Sequence, residues 1–174
     1  MTRWFTSDLH LGDPWAAKMR YCGDDVAKHD AWLAQRWDAT VAPGDVVWVL
    51  GDVANGAPLA AVTDWVQARP GAKVLVRGNL DGWSADELHA VGFDLVFTSV
   101  SLHLLDGSKV FLTHRPQPNL RLPVAAVLHG HTHKHSKWSQ PTGASGHVHV
   151  GWEAWRRYVP EQDIVDLIQK ESTP

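Results

Sequence analysis

Val46-Val47-Trp48-Val49-Leu50-Gly51-Asp52 runs through five apolar residues and then turns to a glycine and a carboxylate. An apolar run without polar alternation reads as a strand covered on both faces, as in the sheet of an α/β protein. The same pattern recurs along the chain. Trp4-Phe5-Thr6 leads to Ser7-Asp8-Leu9-His10, and Val74-Leu75-Val76 leads to Gly78-Asn79. Val110-Phe111-Leu112 leads to Thr113-His114, and the apolar run 124–128 leads to His129-Gly130-His131-Thr132-His133. Each run ends in groups able to bind a metal. Ligands of open α/β sheets gather outside the carboxyl ends of strands, so five distant strand ends can converge on one spot.

Helical patterns separate the runs. Val26, Leu33 and Trp37 are spaced seven and four apart and share a face, with Asp24 as N-cap and Pro43-Gly44 as the stop. Pro58 opens a second helix that ends before Pro70-Gly71, and Ser84 with Glu87 forms a capping-box pattern for a short third. Residues 95–105 and 110–112 read as the arms of a hairpin around Asp106-Gly107. Residues 147–150 read as one more strand, and Pro160 as the first position of a C-terminal helix carrying Ile164, Leu167 and Ile168. The alternation predicts an α/β fold. With no repeat, low-complexity tract or long linker, the 174 residues predict a single domain, 1–174.

Composition narrows the function classes. A formal net charge of -3 supplies no field to draw the chain to a long nucleic acid or an anionic membrane. The one cysteine, Cys22, excludes an internal disulfide and fits a reducing compartment. The first ten residues hold no apolar run behind basic residues, and no stretch has the length to cross a bilayer. The expectation is a cytoplasmic protein without a membrane partner. Ten Trp favour a packed body over disorder, and a Trp-rich edge would allow a homodimer.

Asp8, His10, Asp52, Asn79, His114, His131 and His133 offer imidazole nitrogen, carboxylate oxygen and amide oxygen, a donor set for borderline divalent ions. No cysteine stands among them, which argues against a structural zinc of the thiolate kind. Seven donors are too many for one tetrahedral ion and a natural number for two ions sharing a carboxylate. Two ions about 3.5–4 Å apart can each take a phosphate oxygen and acidify a bridging water for in-line attack.

The ordered set D-x-H, G-D, G-N, H and G-H-x-H resembles the calcineurin-like metallophosphoesterase superfamily, in particular its small bacterial and phage members. The resemblance spans residues 8 to 133, and Val150-Gly151-Trp152 resembles a later strand end of those members. It implies a two-sheet α/β/β/α sandwich. It also implies that Asp8, His10, Asp52 and His133 hold one metal, while Asp52, Asn79, His114 and His131 hold the other. Asp52 and Asn79 would serve catalysis directly, the first by bridging the ions. Manganese is the first choice of metal, ahead of Fe, Ni, Co or Zn.

One position departs from the family pattern. Many members carry G-N-H-[DE], whereas this chain reads Gly78-Asn79-Leu80-Asp81. Leu80 cannot protonate a leaving oxygen, and such assistance is worth about 10²–10⁴-fold. The chain resembles small family members that carry a Cys at this position, and that resemblance implies a small phosphodiester or nucleotide substrate, with a strained 2′,3′-cyclic nucleotide as the leading case. A nuclease, a phosphomonoesterase and a non-catalytic binding module of the same fold are the alternatives.

Other residues receive lesser roles. Arg115 could grip a phosphate through its fork of donors, and His135 could reach the substrate from the loop after His133. Asp81 and His129 could orient ligands from behind. His29, His89 and His103 are expected at the surface or half-buried. His147 and His149 point the same way from their strand, either packing or lining the cleft. Trp15 and Trp83, in loops, could stack on a base. Asp13 and Arg77 lie near the motifs and are given no role.

Overall fold

The structure is a computed structural model that describes residues 1–119, 121 and 123–172. Its elements, in chain order, are β1 (Arg3–Thr6), α1 (Pro14–Met19), α2 (Val26–Thr40), β2 (Val46–Val49), α3 (Leu59–Gln67), β3 (Ala72–Val76), α4 (Ala85–Val91) and β4 (Leu95–Phe97). These are followed by β5 (Ser99–His103), β6 (Lys109–Thr113), β7 (Ala126–His129), β8 (Trp138–Ser139), β9 (Gly146–His149), α5 (Trp152–Trp155), β10 (Val159–Pro160) and α6 (Glu161–Ser172). They form two five-stranded sheets, ordered β10-β1-β2-β3-β4 and β5-β6-β7-β9-β8, flanked by helices. Among the described residues, no helix is long and apolar enough to cross a membrane.

The uninterrupted apolar run around β2 now has its reason. Val47 and Val49 face the helical layer with Leu33, Trp37, Val62, Val66, Leu88 and Val91. Trp48 and Leu50 face the other sheet and pack with Val110, Leu112, Ala126, Leu128 and Val148. A strand between two cores has no polar face to show. β1, β2, β3 and β4 are parallel neighbours, as are β6, β7 and β9. All seven point their carboxyl ends to one side of their sheets, which places the motif loops together.

Four expectations need correction. The run 95–105 is not one hairpin arm: Leu95–Phe97 pairs parallel to β3, the chain crosses at Thr98, and Ser99–His103 pairs with β6 in the other sheet. No glycine or proline marks the crossing in residues 95–103, so the sequence alone hides it. Asp25, not Asp24, caps α2, its carboxylate accepting from the Lys28 amide at 2.9 Å. Pro160 precedes its helix, opposite Trp4 in the antiparallel pair of β10 with β1. His29 is fully buried, four residues before Leu33 on the inner face of α2, where it meets Arg20 and Asp30. The capping box of Ser84 and Glu87 is present as expected. His89 and His103 are exposed as expected.

Candidate metal centre

The loops after β1 and β2 continue the parallel pairing beyond the strands. Asp8 N donates to Gly51 O, His10 N to Asp52 O and Leu11 N to Val53 O, at 2.9, 3.1 and 3.0 Å. The second sheet joins through His131, whose amide donates to both carboxylate oxygens of Asp8 at 3.1 and 3.0 Å. Five candidate ligands, Asp8, His10, Asp52, His131 and His133, sit in the left-handed region, with φ between 48° and 68°. Non-glycine residues take that conformation where the surroundings impose it, and such residues cluster at functional sites. The glycines beside them are needed for close approach. A Cβ at Gly78 would overlap the Asp52 carboxylate, and one at Gly130 would overlap Asp8 and Ser7.

Two groups of donors result: Asp8 with His10 and His133, and Asp52 with His114 and His131. Within each, one ligand atom per residue lies within 4.8 Å of the others. Asp52 Oδ2 stands between the groups, 3.2 Å from His114 Nε2 and 4.0 Å from His10 Nε2. Its other oxygen accepts from the Leu80 amide at 2.8 Å. Asn79 is exposed and lines a shallow cleft with His114, Arg115, Thr98 and Gln117.

These residues fit divalent cations. His10 Nδ1 is engaged with Asp13 at 2.8 Å, and His114 Nδ1 with the Leu50 carbonyl at 2.8 Å. Each ring therefore turns Nε2 into the site, and both Nε2 atoms are buried without a hydrogen-bond partner. Buried polar atoms are rarely left so unless something else binds them. Electrostatics agree. Burial opposes ionisation of Asp8, but the nearby His10 ring, the hydrogen bond from Ser7 and the charges of His114 and His133 outweigh it and hold the carboxyl low. Burial likewise opposes charge on His10 and His114, and the neighbouring Asp8, Asp13 and Asp52 outweigh it and raise both. The site thus attracts positive charge.

The supporting residues are partly those expected. Asp81 is buried, and its carboxylate accepts from the amides of Asp52, Val53 and Gly78 at 2.9, 2.9 and 2.7 Å. It shapes the backbone under the shared carboxylate. His129 donates to the Gly130 carbonyl and packs its ring against His147 and His149. Both of those rings are buried and line a cavity of about 240 Å³ beside Thr132. Arg115 is exposed in the cleft with Asn79, whereas His135 lines a separate cavity and contacts the Glu153 carbonyl at 3.0 Å. Trp83 is half-buried against the helical core, and Trp15 is exposed.

Sequence reasoning missed Asp13, Glu153, Arg20 and Ser7. Asp13 holds His10, accepts from Asn55 Nδ2 and caps α1. Glu153 Oε2 lies 3.5 Å from His133 Nδ1, and its other oxygen accepts from Arg20. Arg20 also donates to the Asp8 and Leu9 carbonyls at 2.7 and 3.0 Å. A carboxylate three residues after His10 was a readable signal for Asp13. Nothing local marks Glu153, which sits on a four-residue helix.

A family model described as the calcineurin-like phosphoesterase superfamily domain matches residues 1–159. The Gene 66 protein of Mycobacterium phage L5 is 35% identical over 95% of this chain and 93% of its own length. The Gene 66 protein of Mycobacterium phage D29 is 34% identical over 95% of this chain and 94% of its own. The crystal structure of a protein of unknown function from Aquifex aeolicus is similar in fold, with a TM-score of 0.69. It covers 95% of this chain and 98% of that one at 19% identity.

Proposed function

The chain belongs to the calcineurin-like phosphoesterase superfamily, and from that premise we propose that it hydrolyses phosphodiester bonds, with 2′,3′-cyclic nucleotides as the leading substrate class. Its fold and its two His/Asp clusters are those of a metal-dependent hydrolase. We assign Asp8, His10, Asp52 and His133 to one ion, and Asp52, Asn79, His114 and His131 to the other, with manganese as the preferred metal. Bound divalent ions supply Lewis acidity and a water acidic enough to attack at neutral pH. The chain's own residues do the rest. Asp52 holds the two halves in register, Asn79 and Arg115 face the substrate from the cleft, and Asp81 keeps the backbone under Asp52 in place.

The observation that carries the preference for diesters is Leu80. It meets the site through its amide, on Asp52 Oδ1, and its side chain is 37% exposed and carries no proton to give. Leaving groups that need little protonation suit such a site, and ring strain in a cyclic diester lowers that need further. The test is to strip the protein with chelator, restore manganese, and compare a nitrophenyl phosphodiester, a nitrophenyl monoester and 2′,3′-cyclic AMP. Metal-restored turnover strongest on the diesters is the expected result. Turnover of the monoester alone would discard the substrate assignment and keep the site. No turnover with any of Mn, Fe, Ni, Co or Zn, despite two bound ions, would make the chain a binding module.

A further inference from the structure

Among the described residues, seven non-glycine positions take a left-handed backbone. Five are candidate ligands. The other two, Tyr21 at φ 62° and Arg156 at φ 55°, lie outside the ligand set, yet both line the same cavity of about 140 Å³. Met19, Trp32, Trp152 and Glu153 complete most of its wall. Each ends a short helix, Tyr21 just after α1 and Arg156 at the C-cap of α5, and these two turns bring both residues to one cavity. The cavity borders the metal centre, since Glu153 separates it from His133 with 3.5 Å between their side-chain atoms.

An exposed track joins the two. Trp15 is 47% exposed, and its ring meets His133 edge-on at 4.9 Å and lies 6.3 Å from His10. Met19, four residues further on α1 and on the same side of it, is 46% exposed, and Tyr21 is 81% exposed. Large apolar side chains left open in a row, from the ligand rings to a cavity, are the mark of a surface that a ligand covers. Trp15 is also held in place. Its amide donates to Asp13 Oδ1 at 2.8 Å, while Asp13 Oδ2 holds His10. One carboxylate thus sets both a metal ligand and the aromatic platform. The exposed Arg156 side chain makes no ion pair among the described residues.

We propose that this track is the subsite for the nucleobase of a nucleotide substrate. Trp15 and Tyr21 supply stacking faces, and the Arg156 fork donates to carbonyl or ring-nitrogen acceptors of the base. The cavity holds about four to five water volumes, room for one heteroaromatic ring system. The proposal rests on the phosphodiesterase reading in one respect, that the phosphate sits at the metal clusters.

The test is saturation-transfer NMR with adenosine and with ribose on the zinc-loaded, diamagnetic protein. Adenosine receives saturation and ribose does not. Trp15→Ala and Tyr21→Ala each weaken adenosine binding about ten-fold, and Trp15→Phe restores most of the loss. Tyr21 is largely exposed, so its truncation leaves folding untouched even if Trp15→Ala disturbs the ligands. Equal saturation of the two probes, or adenosine affinity unchanged in both alanine variants, overturns the proposal. Adenosine carries no phosphate, so this result is independent of hydrolysis. Diester hydrolysis without adenosine binding would sink the subsite alone, and adenosine binding without hydrolysis would sink the activity alone.

Discussion

The two halves of the metal centre are built from similar donors but supported differently. In the Asp8 half, side chains stand behind the ligands: Asp13 behind His10, Glu153 beside His133, and the Ser7 hydroxyl on Asp8 at 2.5 Å. In the Asp52 half the backbone does this work. The Leu50 carbonyl orients His114, the Leu80 amide holds Asp52, and Asp81 grips three amides below. A carboxylate behind an imidazole raises its basicity as a ligand more than a neutral carbonyl does. The first half is therefore expected to hold an ion more tightly than the second. The second opens onto the cleft of Asn79 and Arg115, where a substrate would exchange.

The comparison can be broken in order of expected effect. Asp52→Asn removes charge from the carboxylate that we propose both halves share. Turnover should fall by more than about 100-fold, beyond the usual effect of a supporting residue, with the circular dichroism spectrum retained. Near-normal activity in that folded variant would end the two-metal reading. Asp13→Asn should act on one half only. Metal affinity there should drop about 10–100-fold while the other site keeps its own, as read by two-site calorimetry. Equal weakening of both sites would erase the distinction drawn above.

Leu80→His bears on the open half. It should raise monoesterase turnover by about 100-fold, the lower end of what a general acid supplies. An unchanged monoester-to-diester ratio would remove the argument from Leu80.

The smallest effect is expected outside the centre. Asp45 accepts from Trp4 Nε1 and from the amides of Thr2 and Ala42, at 3.0, 2.6 and 3.1 Å, and these bonds hold its carboxyl below the usual range. A depressed carboxylate stabilises the fold above its unfolded pKa, about 4, and loses that contribution as pH falls through the lower folded value. Asp45→Asn should therefore lower Tm at pH 6, and the gap to the parent should close in acid. Chelator should leave this gap unchanged; a gap that follows metal content would show that Asp45 is coupled to the centre after all.

Much of this was legible in the residues. The run 46–52 announced a strand between two cores because both of its faces are apolar. Asp8, His10, Asp52, His114, His131 and His133, which the structure gathers into two clusters, were legible because each follows a strand, and strand ends are where this class of sheet presents ligands. The crossing at Thr98 was not legible, because period-two alternation says which residues share a face and not which sheet they join. His29 was misplaced because a histidine on the inner face of a helix reads as surface until its partners, Arg20 and Asp30, are known.

The sequence by itself determined the family, the order of the strands' ligands and the absence of a general acid at Leu80. These are matters of local chemistry and spacing. Only the tertiary structure decided what stands behind the ligands and beside them. Glu153 lies twenty residues beyond His133, and Tyr21 and Arg156 line one cavity although 135 residues separate them. A ring's tautomer and direction are set by the group its other nitrogen meets, and that meeting exists only once distant segments have packed.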